Sequence, residues 1–216
     1  MKKIASPLFQ DLSEAELDTL AAAGHLRTRQ FAKHEVIFRA GSCVREIGIV
    51  LRGSVHIENL DLCGTKSILS SVGAGQAFAE TYAFCGEALM VDAVAAEHCE
   101  ILFLHTAALT DARIEPALKD KLLRRLLAVS MRKNLSLSQR IFCTTPKTVR
   151  GRLLTYFSAQ AARCGRMEFE VPFNRQQMAD YLNLDRSALS KELCKMRDEG
   201  LLEFDKNRFV LKQLPE

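Results

Sequence analysis

The chain lacks any run of the ~18 apolar residues that a membrane-crossing helix needs. Its longest apolar stretch, Ile101 to Ala108, is short and contains His105. No secretory leader is expected, because Asp11 and Glu14 interrupt the apolar core that would have to follow Lys2-Lys3. A chain that starts at Met1, stays in the cytoplasm and meets no membrane is therefore expected. There is no CxxC pair. The seven cysteines, Cys43, Cys63, Cys85, Cys99, Cys143, Cys164 and Cys194, are odd in number, and the nearest two lie 14 positions apart. That argues against a disulfide framework and against a structural zinc site, and fits thiols in a reducing compartment. Paired carboxylates, a nucleophile elbow, a phosphate loop and a metal cluster are missing too. Ser130-Met131-Arg132-Lys133 fits S-x-x-K, but no S-D-N or K-T-G accompanies it. No enzyme and no metal site are expected.

What remains is an ordinary globular composition: 216 residues, 48% apolar and 26% charged, enough for one or two domains. Charge is unevenly spread. Residues 1–112 hold 9 basic and 14 acidic side chains, and residues 113–216 hold 21 and 12. An acidic half joined to a basic half points to a polyanion partner for the second half. The basic excess is larger in residues 113–145, at 8 against 2, than in residues 146–216, at 13 against 10. Charge alone therefore does not locate a nucleic-acid site.

Eight of the 11 glycines precede residue 87. Between them run short β-branched stretches, among them Val36-Ile37-Phe38, Ile47 to Leu51, Val55 to Ile57, Ser67 to Leu69, Val91 to Val94 and Ile101 to Leu104. Turn signals recur at Ala40-Gly41-Ser42, Arg52-Gly53-Ser54, Leu62-Cys63-Gly64 and Gly73-Ala74-Gly75. Short strands with regular glycine turns indicate an antiparallel barrel or sandwich. A short helix is expected ahead of it from Ser13 to Ala23, with Ser13 and Glu16 as a capping box and Gly24 as the stop.

From Pro116 to about Phe142 there is neither Gly nor Pro past the first position. Leu123, Leu127, Ser130, Asn134, Leu137 and Ile141 are spaced as a coiled-coil seam with two polar positions. A helix of about 40 Å with such a seam calls for a partner. The simplest partner is its own copy, in a parallel dimer.

The last third reads as a winged helix-turn-helix. Thr145-Pro146 is expected to open a helix that runs to Cys164 and stops at Gly165, followed by a short strand from Met167 to Val171. Asn174 caps a second helix through Leu182, and Asn183-Leu184-Asp185 makes a turn. Asp185 caps a third helix whose Leu189, Leu193 and Met196 form the buried face. Two runs, from Leu201 and from Arg208, flank the hairpin signal Asp205-Lys206-Asn207. Two short helices across a three-residue turn match the motif that places its second helix in the DNA major groove. Arg186, Ser187, Ser190 and Lys191 supply two cations and two hydroxyls suited to base edges.

These segments together resemble the Crp/Fnr family, that of the cyclic-AMP receptor protein and the fumarate–nitrate reduction regulator, over nearly the whole chain. Leu8 to Ser13 resembles the family opening, Gly41 and Gly53 fall at its β-roll turns, and Gly75-Gln76-Ala77-Phe78-Ala79-Glu80 resembles its ligand cassette. Asn174 to Ala179 with Asp185 to Lys191 resembles its helix-turn-helix. The resemblance implies an α+β chain with an N-terminal cyclic-nucleotide-binding-like β-roll (1–112), a dimerisation helix and hinge (113–145) and a C-terminal winged helix-turn-helix (146–216). It implies a dimeric regulator that binds double-stranded DNA at an inverted repeat and works with RNA polymerase. Carried over position by position, Arg186 keeps the family residue, Ser187 replaces an acid and Lys191 replaces an Arg. An altered half-site is expected as a result. Asn174, Arg175, Lys195 and Arg208 are candidate phosphate contacts.

The resemblance also frames what is sensed. Cyclic-AMP-binding relatives carry an Arg shortly after the cassette Glu. Here Glu80 is kept, but no Arg occurs between Arg52 and Arg113 and the only Lys there is Lys66. A buried phosphate would lack its cation, so no cyclic-AMP response is expected. No Cys precedes Cys43, which argues against an N-terminal iron–sulfur cluster. Haem remains open, with His25, His34, His56, His98 and His105 as candidate axial ligands, and so does a thiol switch at Cys85, Cys99 or Cys143. The third option is a small organic ligand beside Phe78, Glu80 and the helix face of Ser130, Met131, Lys133 and Asn134.

Overall fold

The structure, a computed structural model, describes residues 4–60 and 66–212; of Leu60 and Lys66 only the backbone is described. The turn expected at Leu62-Cys63-Gly64 lies outside the described residues. The chain divides into two compact units, Met1–Arg132 and Lys133–Glu216.

The first unit opens with α1 (Glu14–Ala22), closed at its start by the expected capping box: Ser13 Oγ accepts from the Glu16 N–H at 3.2 Å and Glu16 Oε2 accepts from the Ser13 N–H at 2.7 Å. Among the described residues eight strands follow: β1 (Leu26–Phe31), β2 (Val36–Phe38), β3 (Glu46–Arg52), β4 (Ser54–Leu60), β5 (Lys66–Gly73), β6 (Ala77–Phe78), β7 (Asp92–Ala95) and β8 (Cys99–His105). The helix α2 (Glu80–Cys85) stands between β6 and β7. The strands form two antiparallel sheets, ordered β1-β8-β3-β6 and β2-β7-β4-β5. Phe31, Val50, Val55, Phe78, Ile101 and Phe103 fill the space inside the roll. Gly53 turns β3 into β4 with φ +81°, and a Cβ there would stand 2.6 Å from the His98 carbonyl, so only glycine fits.

Two strands and one helix escape the sequence pattern. β1 buries only its ends, Leu26 and Phe31, with four exposed residues between them, so there is no alternation to read. β6 is two residues long. α2 is a single short helix bracketed by left-handed Ala79 (φ 62°) and Gly86 (φ 74°).

The long helix α3 (Pro116–Thr144) is common to both units. In the first unit its Leu118, Leu122 and Leu126 are buried against α1 and the β1-β8-β3-β6 sheet. The seam residues Leu123, Leu127, Leu137 and Ile141 are exposed. The helix thus packs on its own barrel along one face and offers the expected seam on another.

In the second unit α4 (Val149–Cys164) is followed by β9 (Glu168–Glu170), α5 (Arg175–Leu182), α6 (Arg186–Asp198), β10 (Leu202–Asp205) and β11 (Arg208–Leu211). The start of α4 corrects one expectation. Its cap is Thr148, whose Oγ1 accepts from the Gly151 N–H at 3.0 Å, and not Thr145 before Pro146. The reason is that Thr144 and Thr145 belong to the preceding helix end. Their hydroxyls donate back to the carbonyls of Arg140 and Ile141, each at 2.8 Å. The wing is a three-stranded sheet ordered β10-β11-β9, and Leu153, Phe157, Met178, Leu189, Met196 and Phe209 form the core beneath it.

Candidate DNA interface and effector cavity

The helix-turn-helix is built from two well-capped helices. Asn174 Oδ1 accepts from the Gln177 N–H and Gln177 Oε1 from the Asn174 N–H, both at 2.9 Å, which starts α5. Asn183 ends it in the left-handed region at φ 51°. Asp185 then accepts from the N–H groups of Ser187 at 2.8 Å and Ala188 at 3.0 Å, starting α6. These bonds favour the carboxylate, the Ser187 hydroxyl most of all, and hold Asp185 below its ordinary pKa. Met178, Ala179 and Leu182 of α5 and Leu189, Leu193 and Met196 of α6 are fully buried, so the packing of the two helices is fixed.

Two arginines hold the turn from below. Arg140 of α3 donates through Nε to the Tyr181 carbonyl at 3.0 Å and through Nη2 to the Asp180 carbonyl at 2.9 Å and Asn183 Oδ1 at 3.2 Å. Arg152 of α4 donates through Nη1 to the carbonyls of Leu182 at 3.0 Å and Asn183 at 2.7 Å. The last carbonyls of a helix have no partners within it, and here side chains from α3 and α4 supply them. Neither arginine stands out in the sequence, because each makes these bonds only once the turn after α5 is folded beside it.

Arg186, Ser187, Lys191 and Lys195 of α6 are exposed and Ser190 is half-buried. Arg186 and Lys191 have no hydrogen-bond or ion-pair partner among the described residues. The Ser187 hydroxyl donates to Asp185, leaving its lone pairs free. Asn174, Arg175 and Arg186 line one cleft together with Gln176 and with the wing-turn residues Lys206 and Asn207. In the sequence the last two mark only a turn. Lys206 holds φ 49°, so its place is set by the tight hairpin rather than by any helical pattern. Arg175 is half-buried, with its guanidinium carbon 5.0 Å from the Phe204 ring centre and 5.1 Å from that of Phe209. Its Nη1 is buried with no partner, and burial lowers its pKa from the ordinary value. Arg208 is paired with Glu168 on the neighbouring strand.

In the first unit a cavity of about 240 Å³ lies between α2 and α3, lined by Glu80, Thr81, Phe84, Cys85, Leu126 and Ser130 with Leu123 and Leu127. The structure thus brings Glu80 and Ser130 together. Glu80 is buried at the first position of α2, immediately after left-handed Ala79. Phe78 does not line this cavity. It is buried inside the roll, its ring 5.7 Å from that of Phe38 and stacked over Gly48. Met131 is exposed on α3, and Lys133 and Asn134 are exposed and fall in the second unit. The lining holds one carboxyl group and no cation. A cyclic phosphate placed there would have no positive partner and would meet a buried acid, so these residues do not fit a cyclic nucleotide. Among the described residues no group of three or more His, Cys, Asp or Glu could hold a metal ion, and no helix is long and apolar enough to cross a membrane.

The chain matches the cyclic nucleotide-binding domain family over residues 28–113 and the Crp-like helix-turn-helix domain family over residues 151–216. Among solved structures, Thermus thermophilus Catabolite Activator Protein is 25% identical, with 96% of this chain and 94% of that chain covered and a TM-score of 0.50. FixK2 from Bradyrhizobium japonicum is 19% identical, with 87% and 93% covered and a TM-score of 0.50. CprK complexed with OCPA is 14% identical, with 91% and 92% covered and a TM-score of 0.67. The last two show the fold alone. No curated protein matches the chain significantly. A nucleotide-binding-type β-roll joined to a Crp-like helix-turn-helix defines a DNA-binding transcription regulator. The chain belongs to the Crp/Fnr family.

Proposed function

We propose that this is a cytoplasmic, homodimeric regulator that reads an inverted-repeat operator through α6 and answers to a small effector other than cyclic AMP. The carrying observation is the exposed face of α6, where Arg186 and Lys191 stand without partners on a helix whose other face is fully buried. Cations held free on a rigid helix suit guanine O6 and N7. Asn174, Arg175 and the wing-turn Lys206 around one cleft suit the phosphates beside the groove. The exposed seam of α3, with Leu137 60% and Ile141 67% accessible, supports pairing with a second copy. In such a dimer the two α6 helices enter successive major grooves ~34 Å apart.

The effector reading rests on the Glu80 cavity. A ligand that binds only the DNA-competent state shifts the population toward it. With Leu123, Leu126, Leu127 and Ser130 of α3 facing Glu80 of α2, the cavity suits a small, largely apolar molecule with a hydrogen-bonding group. RNA polymerase is the expected partner at the promoter. A winged helix that binds protein instead of DNA is the competing reading.

Titrating a selected inverted-repeat duplex and a scrambled one at two salt concentrations tests this. The expected result is tighter binding to the inverted repeat and a steep loss of affinity with salt through counterion release. A flat salt response without sequence preference would favour the protein-partner reading. A Soret band in the freshly purified protein would replace the organic effector by haem.

A further inference from the structure

A second and larger cavity of about 580 Å³ shares Phe84, Cys85 and Leu123 with the Glu80 cavity and is otherwise separate. It opens between the second half of α2, the start of β3 and the turn that follows β8. Its size falls within the ~300–1,000 Å³ typical of small-molecule sites. Ala83, Phe84, Leu109 and Leu123 give it apolar walls, and no Asp or Glu lines it.

Its polar groups are specific. Arg45 is exposed, and its guanidinium has no hydrogen bond or ion pair among the described residues. His105 Nδ1 accepts the Ala107 N–H at 3.1 Å, so the neutral ring carries its proton on Nε2. The Thr106 and Thr110 hydroxyls already donate to the carbonyls of Arg45 at 3.2 Å and Ala107 at 3.3 Å. The free donors of the cavity are therefore the Arg45 guanidinium and the His105 Nε2–H. The same bond sets His105 against an axial haem ligand, because the Nε2 lone pair that a metal would take carries the proton. A permanent cation, a second donor, apolar walls and no acid in the lining match an anionic head on a short apolar body. This stands out in a half of the chain where 14 acidic side chains outnumber 9 basic ones.

We propose that this cavity is a second small-molecule site of the sensor unit, taking an amphipathic monocarboxylic acid whose carboxylate is held by Arg45 and His105 and whose apolar body lies against Phe84, Leu109 and Leu123. Its occupant touches the same α2 residues that wall the Glu80 cavity, so the two sites share a boundary.

Calorimetric titration of the full chain with octanoate, and with octanamide as the uncharged match, tests the site. Octanoate is expected to bind, and octanamide to bind about tenfold more weakly or worse. Arg45→Ala is expected to weaken octanoate about tenfold, with Arg45→Lys recovering part of the loss. Because the Arg45 side chain is exposed and makes no bond in the fold, an unchanged melting temperature checks that the variant is intact. Ser130→Trp fills the other cavity and tells the two apart: octanoate still binds. Absence of octanoate binding, equal binding of acid and amide, or loss of binding with Ser130→Trp but not with Arg45→Ala would each overturn the proposal. None of these outcomes bears on binding of the DNA duplex, which tests the regulator reading independently.

Discussion

The Nε of Arg140 stands 3.0 Å from the carbonyl oxygen of Tyr181 and donates to it. This bond fastens the end of α3 to the turn on which the orientation of α6 depends. Arg140→Ala leaves the Asp180 and Tyr181 carbonyls without that partner and is expected to destabilise the second unit by about 1–3 kcal/mol. The chain has no Trp and three Tyr, of which Tyr156 and Tyr181 lie in the second unit. Urea unfolding followed by near-ultraviolet circular dichroism therefore reports mainly on that unit. An unchanged midpoint would mean that water replaces Arg140 without loss.

A substitution at Lys191 distinguishes base reading from phosphate binding. Lys191→Ala is expected to reduce the preference for operator over scrambled duplex by about 1–3 kcal/mol at one base pair, with nonspecific affinity little changed. Equal loss on both duplexes would make Lys191 a phosphate contact.

Ile141 is 67% exposed on the α3 seam. Ile141→Asp is expected to convert a dimer to a monomer in sedimentation at micromolar concentration while the melting temperature of the chain holds. Affinity for an isolated half-site should then survive and the advantage of the inverted repeat should vanish. A dimer that persists would place the interface elsewhere.

Gly48 lies directly under the Phe78 ring, so a Cβ added there has no room. Gly48→Ala is expected to cost about 1–3 kcal/mol through overpacking. Adding Phe78→Leu to Gly48→Ala should return part of that loss, giving a double-mutant coupling of at least about 0.5 kcal/mol. Additive effects would show that the ring moves aside freely.

Asp185 is held ionised by the start of α6, so its stabilising effect is complete above the ordinary carboxylate pKa and is lost as pH falls below about 4. Asp185→Asn keeps a cap that accepts the same N–H bonds but does not titrate. Melting temperatures of the two proteins between about pH 3 and pH 6 should converge at the acid end and differ most at the upper end. A constant difference would remove Asp185 from the acid response.

The sequence made the repeating elements legible. Glycine turns marked the roll, Asn174 and Asp185 marked the two helix starts, and the spacing from Leu123 to Ile141 marked the face of α3 that the barrel does not cover. What it could not show depends on residues distant in the chain. Arg140 looks like any helical arginine until Asp180 and Tyr181 are placed beside it. Phe78 looked like a ligand neighbour because it stands two residues before Glu80, yet its direction is set by Gly48 on another strand. Arg45 and His105 meet only because β3 and β8 are neighbours in the sheet, with Glu46 opposite His105.

The pairing of β1 with β8 also has a kinetic side. Leu26 lies opposite Leu104 and Phe31 opposite Cys99, so the first strand of the roll waits for the last. On a ribosome, β1 and the inner face of its sheet stay unmatched until most of the first unit has emerged, whereas α5, α6 and the wing close over short loops. The sensor unit is made first and is expected to complete its sheet slowly. The nascent chain is thus expected to pass through a period in which the edge of β1 is unpaired.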